Sequence, residues 1–251
     1  MKRKIEAACG SHKGIVRKNH EDNFYFNGKY LDKLNDGLLG ISTFEGTLKR
    51  GICVAVFDGM GGEDYGEAAS YAAAKFTSKD NKKLANWVLN EEQLLRKQVL
   101  ASNYAVVEAK REMETSRMGT TVVMLRFTAQ EVYVCNVGDS RAYRLRDDQL
   151  QQISVDHVVK RPGMRKTPLT QHLGIDPEYM AIEPHIVKDE VREGDTYLLC
   201  SDGLTDMLTD EEILAIMRKK KKASECVKSL TAEALERGGR DNVTIIVCNI
   251  I

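Results

Sequence analysis

Four aspartates stand where buried strands would end. Asp58 follows the apolar run Ile52–Phe57, Asp139 follows Val132–Gly138, Asp202 follows Tyr197–Ser201, and Asp241 stands just ahead of Val243–Val247. Glycine adjoins Asp58, Asp139 and Asp202, so backbone can approach closely at those turns. Aspartate is a common turn residue, and any one such position is ordinary. A carboxylate at the end of a buried strand is costly unless it is paired or bound to a cation, and the repetition points to a hard-cation site. Oxygen ligands favour magnesium, manganese or calcium over zinc or copper. No H-E-x-x-H or C-x-x-C spacing spells out a zinc or redox site.

An anion partner lies near the N-terminus, in Gly14–Asp22. If this stretch is a strand, residues 17, 19 and 21 share a face, and Arg17 points the same way as Glu21. Arginine suits bidentate phosphate binding, and glutamate suits a metal or its water. Taken alone, the pair reads as a surface ion pair two pleats apart.

The elements that must position these residues follow from periodicity. Ile5–Phe26 reads as extended structure with a turn near Gly10–Gly14, and residues 27–50 as loop with some strand. Gly51–Phe57 is a continuous apolar run, the pattern of a strand buried on both faces. Ala68, Ala69, Ala72, Ala73 and Phe76 keep helical spacing. A second helix starts at Asn90 with Gln93 as its cap partner, and carries Leu94, Leu95, Val99, Ser102 and Val106 on one face. Thr120–Phe127, Glu131–Val137, Arg141–Arg146 and Asp195–Ser201 read as strands. Thr209 and Glu212 form a capping box for a helix to about Met217, Ala223–Arg237 is a helix stopped by Gly238 and Gly239, and Asn242–Ile250 is the last strand. Strands and helices come in blocks, which implies α+β layers with mostly antiparallel sheets.

Composition narrows the function. The 251 residues are 42% hydrophobic, enough for a sizeable core, and carry 37 Lys+Arg against 37 Asp+Glu. That balance removes the electrostatic case for a nucleic-acid binder. No apolar run of about 18 residues spans a membrane, and the basic N-terminus lacks the apolar stretch of a secretory signal. The six cysteines, at 9, 53, 135, 200, 226 and 248, mostly sit in apolar runs and read as small reduced core residues. These features place the protein in the cytoplasm. Neither a linker nor a repeat divides it, and the charge run Arg218–Lys222 reads as a solvated helix end.

Taken in order, several motifs resemble one family. They are Arg17 with Glu21-Asp22, Asp58-Gly59-Met60-Gly61-Gly62, Met118-Gly119-Thr120-Thr121, Val137-Gly138-Asp139-Ser140-Arg141, Ser201-Asp202-Gly203 with Asp206, and Arg240-Asp241-Asn242-Val243-Thr244. The set is similar to the metal-dependent serine/threonine protein phosphatases of the PPM, or phosphatase 2C, type, in their bacterial form. Each motif is weak alone; the ordered set is specific, and it covers nearly the whole chain.

The resemblance implies a four-layer α-β-β-α sandwich, two antiparallel sheets flanked by helix pairs, with residues 1–251 as a single phosphatase catalytic domain. It implies two or three divalent cations, Mn2+ or Mg2+, at one end. Asp58 would bridge two metals and the Gly59 carbonyl would ligate one. Asp202 and Asp241 would complete one metal's shell, Glu21 would hold metal-bound water, and Arg17 would grip the substrate phosphate. Asp139, with Asp202 and Asp206, matches a third, weaker metal position. The implied reaction is in-line attack by a metal-bridged water on a phosphoserine or phosphothreonine protein, without a phosphoenzyme. An opposing serine/threonine kinase is the implied partner, nucleic acid and membrane are not, and a monomer is the default.

Two departures stand out. Met60 replaces the histidine that many eukaryotic members use as general acid, and methionine cannot donate a proton. His20 is a poor substitute, because strand geometry turns it away from Glu21. The segment Val158–His172, with Lys160, Arg161, Arg165 and Lys166, is shorter than the usual bacterial flap and reads as a solvated loop.

Other readings fare worse. Cys135 and Arg141 match C-x5-R of cysteine-dependent phosphatases, but Asp139 would sit inside the phosphate cradle and a strand follows in place of a helix. No G-x-x-x-x-G-K-[ST] is present, and Asp64 breaks G-x-G-x-x-G. A catalytically silent phosphoprotein-binding relative would have lost metal acids, yet Asp58, Asp202 and Asp241 remain. A hydrolase of small phosphate esters would share the same site chemistry.

Overall fold

The computed structural model describes residues 3–60, 65–81, 90–159 and 168–251. The strands are β1 (Lys4–His12), β2 (Asn23–Phe26), β3 (Ser42–Thr47), β4 (Ile52–Phe57), β5 (Gly59–Met60), β6 (Gly119–Thr120), β7 (Val122–Phe127), β8 (Glu131–Val137), β9 (Arg141–Arg146), β10 (Gln149–Gln152), β11 (His185–Glu190), β12 (Thr196–Cys200) and β13 (Val243–Ile250). The helices are α1 (Gly66–Asn81), α2 (Glu91–Glu112), α3 (Asp202–Thr205), α4 (Asp210–Lys219) and α5 (Ala223–Glu236).

One sheet runs β10-β9-β12-β13-β1-β3 and the other β11-β8-β7-β4-β2, every pairing antiparallel. Helices α1 and α2 cover the second sheet, and α3, α4 and α5 cover the first. This is the four-layer α+β sandwich that the sequence implied.

Period-2 alternation builds the layers. Val54 and Val56 of β4 face the core between the sheets, while Cys53, Ala55 and Phe57 face α1 and α2. Strand β13 divides likewise: Ile246, Cys248 and Ile250 point between the sheets, and Val243, Ile245 and Val247 toward α4 and α5. Both strands are buried on both faces, which is why their sequences are continuously apolar. The capping boxes form as expected, Asn90 with Gln93 for α2 and Thr209 with Glu212 for α4.

Two sequence expectations change, and three further elements carry little local signal. Ile5–Phe26 is not extended throughout: β1 ends at His12 and residues 13–22 form a loop of bends. Thr120–Phe127 is two strands, because Thr120 pairs with β5 while Val122 starts the pairing with β8. Strands β10 and β11 and the short helix α3 carry no strong periodicity; β11, His-Ile-Val-Lys-Asp-Glu, ends in three charged residues and buries none of its side chains fully. Lys160, Arg161, Arg165 and Lys166 lie outside the described residues, as do Gly61 and Gly62.

Register decides where the acids meet. Asn23 of β2 pairs with Phe57 of β4, and Val122 of β7 with Val137 of β8. In the other sheet, His12 pairs with Val243, and Cys200 with both Ile245 and Arg141. Antiparallel pairing therefore brings the ends of β4, β8 and β12 and the starts of β2, β9 and β13 to one edge of the sandwich.

Candidate metal and phosphate site

Asp58 sits between β4 and β5 on a fully engaged backbone. Its N–H donates to Thr121 Oγ1 at 3.1 Å, and its carbonyl accepts from Thr121 N and Thr120 Oγ1, both at 2.9 Å. Thr121 Oγ1 is in turn 2.6 Å from Ser140 Oγ, next to Asp139. Gly59 N donates to the Glu21 carbonyl at 3.2 Å. A Cβ on Gly59 would strike the carbonyl oxygens of Gly66 and Glu21, and one on Gly203 the carbonyl oxygen of Asn242. Only glycine permits these approaches.

Burial pushes the Asp58 carboxyl well above the usual range, and the charges of Asp202, Asp22, Asp139 and Asp241 push it further. Among the described residues, no hydrogen-bond donor reaches that carboxyl group. Glu21 is raised by burial as well, against the pull of Arg17. Asp139 is raised by burial, with Asp156 and Asp206 adding to it. Asp206 itself is exposed, at the end of α3.

Arg17, in the loop that follows β1, reaches a residue just ahead of β13, the strand beside β1. Its Nη2 lies 2.6 Å from Asp241 Oδ2. Burial works against its charge, but Asp241, Glu21 and Asp202 outweigh that and raise its pKa. Among the described residues one of its five N–H donors is engaged, by Asp241, so the fork retains capacity for an anion. Arg17 and Glu21 thus share a site, through a folded loop and not through a common strand face.

That loop is fixed by Asn242, which is part of a sequence motif that assigned it no role. Asn242 Oδ1 accepts from Glu21 N at 2.7 Å, and Nδ2 donates to Lys13 O at 2.7 Å and Asn19 O at 3.0 Å. The only local signal was a polar residue heading an apolar strand. Asp22 was quoted in a motif without a role. It is buried, accepts from Ser201 Oγ at 2.7 Å, and is pushed up to about 8, chiefly by desolvation. Ser201, an N-cap residue type, spends its hydroxyl on Asp22 and not on helix α3.

His20 points inward, with Nε2 3.0 Å from Ser11 Oγ, and burial lowers its pKa to about 4. It is neutral at physiological pH and turned away from the acids, so it supplies no general acid. Cys135 is fully buried in β8 with its thiol pushed up to about 12 by desolvation, and Arg141 forks onto Asp156, with Nη2 to Oδ2 at 2.7 Å. No thiolate cradle exists there.

Comparison with known proteins settles the family. A family model described as protein phosphatase 2C matches residues 42–237. The chain belongs to the protein phosphatase 2C family. The chain is 32% identical to the serine/threonine phosphatase stp of Listeria welshimeri over 97% of its own length and 95% of that protein. It is also 32% identical to the serine/threonine protein phosphatase PstP of Mycobacterium tuberculosis, over 98% of its length but only 45% of that relative. A crystal structure of the PstP catalytic domain with 2 manganese ions superposes with a TM-score of 0.77 at 29% identity, covering 99% of each chain.

Antiparallel register brings these acids to one edge of the sandwich, and oxygen donors of this kind suit hard divalent cations. The side chains are carboxylates, the glycines leave room for close backbone, and Asp58 is crowded by negative charge with no donor among the described residues to offset it. No ready-made cage is closed, however: among the described residues, no three His, Cys, Asp or Glu side chains converge tightly enough to hold an ion. The acids stand within electrostatic reach of one another. Among the described residues, no helix is long and apolar enough to cross a membrane.

Proposed function

We propose that this chain is a metal-dependent serine/threonine phosphoprotein phosphatase, with residues 1–251 acting as its catalytic domain. The observation that carries the reading is Asp58, held rigid by Thr120 and Thr121 among Asp202, Asp22, Asp139 and Asp241, with Arg17 and Glu21 beside them. Asp58, the Gly59 carbonyl, Asp202 and Asp241 would hold two manganese or magnesium ions, with Asp139, Asp202 and Asp206 available for a third. Such ions supply Lewis acidity, lowering the pKa of a water and neutralising phosphate oxygens.

The chain's own residues do the rest. Arg17 binds the phosphate through its free N–H donors and fixes its orientation. Glu21 holds the attacking water by accepting its proton in a hydrogen bond. Attack by water leaves no phosphoenzyme, in keeping with six buried, protonated cysteines. Met60 donates nothing and His20 faces Ser11, so the leaving serine or threonine oxygen takes its proton from solvent. An opposing kinase would supply the phosphoprotein substrates.

The test is hydrolysis of a phosphothreonine peptide by the purified chain, first in EDTA and then with manganese or magnesium restored. Activity should require the metal and disappear in Asp241→Ala. Metal-independent turnover, or full activity in Asp241→Ala, overturns the two-metal reading. A folded protein inactive with every metal is instead a phosphoprotein-binding relative.

A further inference from the structure

The loop that carries Arg17 presents a feature that the hydrolytic chemistry does not use. Ile15 and Val16 directly precede the arginine, and each is 65% exposed. Single exposed apolar residues are commonplace. This pair differs because its backbone is pinned on both sides. The N–H groups of Ile15 and Val16 donate to the Gly239 carbonyl at 2.7 and 3.4 Å. Asn242 holds the carbonyls of Lys13 and Asn19, which bracket the pair. Gly14 turns the chain at φ +84, where any Cβ would strike the Asp241 carbonyl.

The side chains extend an apolar surface. Ile15 Cγ1 and Leu235 Cδ2 both lie over Gly239, each 3.0 Å from where a Cβ would stand. Val16, equally exposed, stands between Ile15 and Arg17 in the chain. Both loop residues are β-branched, so they lose little side-chain freedom on contact. A pinned, exposed apolar pair thus directly precedes Arg17, the group assigned to the phosphate.

We propose that Ile15 and Val16 select substrates, by receiving an apolar side chain that flanks the phosphorylated serine or threonine. The inference rests on the phosphatase reading above and names the substrate class of that site. The occupant is the phosphoprotein segment itself, because the pair is pinned at Gly239, two residues from the Asp241 that holds Arg17, and a phosphate bound by Arg17 brings the flanking residues of its segment to this loop.

The experiment uses the full chain with manganese, p-nitrophenyl phosphate, and phosphothreonine peptides that differ only in leucine or serine at the flanking positions. The leucine-flanked peptide should have a kcat/KM about tenfold higher, mainly through KM. The double variant Ile15→Ser/Val16→Ser should bring that ratio near one while p-nitrophenyl phosphate hydrolysis persists. Ile15→Leu/Val16→Leu should retain the preference. An unbiased parent protein, a serine variant that keeps the bias, or a leucine variant that loses it overturns the proposal. If the serine variant loses all activity, or changes only its oligomeric state, the pair is structural or a self-association surface, and the proposal falls. Failure of the parent protein on every phosphate ester defeats the phosphatase reading itself, a result distinct from active but unbiased hydrolysis.

Discussion

The interior between the two sheets and the loops at one end of them are built on opposite terms. Between the sheets, Phe24, Phe26, Phe127 and Tyr197 are buried with aliphatic neighbours, and Phe127 meets Tyr197 edge-to-face with ring centroids 5.3 Å apart. Burial there lowers the free energy of the fold. At the strand ends, burial does the reverse: it forces the carboxyls of Asp58, Asp22 and Asp139 up and sets them against one another. The first region stabilises the scaffold. The second is a cost that the scaffold carries, and it marks where a cation would act.

The largest effect should come from the acidic end. Asp58→Asn is expected to lower kcat/KM by on the order of 10³ or more, about 4 kcal/mol of transition-state stabilisation. The same variant in EDTA should melt no lower than the parent protein, because a repelling charge has gone. A clear drop in the EDTA melting temperature would erase the contrast between the regions.

Phe127→Ala is the complementary change. It should cost about 3–5 kcal/mol of stability by urea titration, while activity per folded molecule at low temperature stays near the parent value. Arg17→Ala should raise KM by about 10–100-fold with a smaller change in kcat, through loss of hydrogen bonds to a charged phosphate. An unchanged KM would remove Arg17 from phosphate binding.

Asn242→Ala tests the staple that joins the two regions. It should lower kcat/KM about tenfold and weaken manganese activation by a similar factor, because Glu21 and Arg17 lose their common anchor. The smallest effect belongs to the thiols. Burial raises Cys53 to about 11 and Cys135 to about 12, so an aromatic disulfide reagent should label none of the six cysteines quickly at pH 8 unless the protein is unfolded. Cys135→Ala should keep full phosphatase activity.

Much of this was written locally. The double burial of β4 and β13 shows as unbroken apolar runs, and the ends of α2 and α4 show as capping boxes. The family motifs also fell in one order along the chain. The bends of residues 13–22 were not legible, because no short-range signal distinguishes them from a strand; their shape depends on Asn242, 221 residues from Glu21. The roles of Ser201 and Thr121 were hidden for the same reason, since a hydroxyl's partner lies across the fold.

By itself, then, the sequence determined the kinds of element, the faces they bury and the inventory of acids at strand ends. Those signals span a few residues and follow from periodicity and capping. Tertiary structure alone decided which ends share an edge, since that depends on antiparallel register between strands far apart in the chain, such as His12 with Val243. It also turned His20 inward, paired Arg17 with Asp241 and left Ile15 and Val16 facing solvent, because each outcome rests on hydrogen bonds that exist only once the sheets have closed.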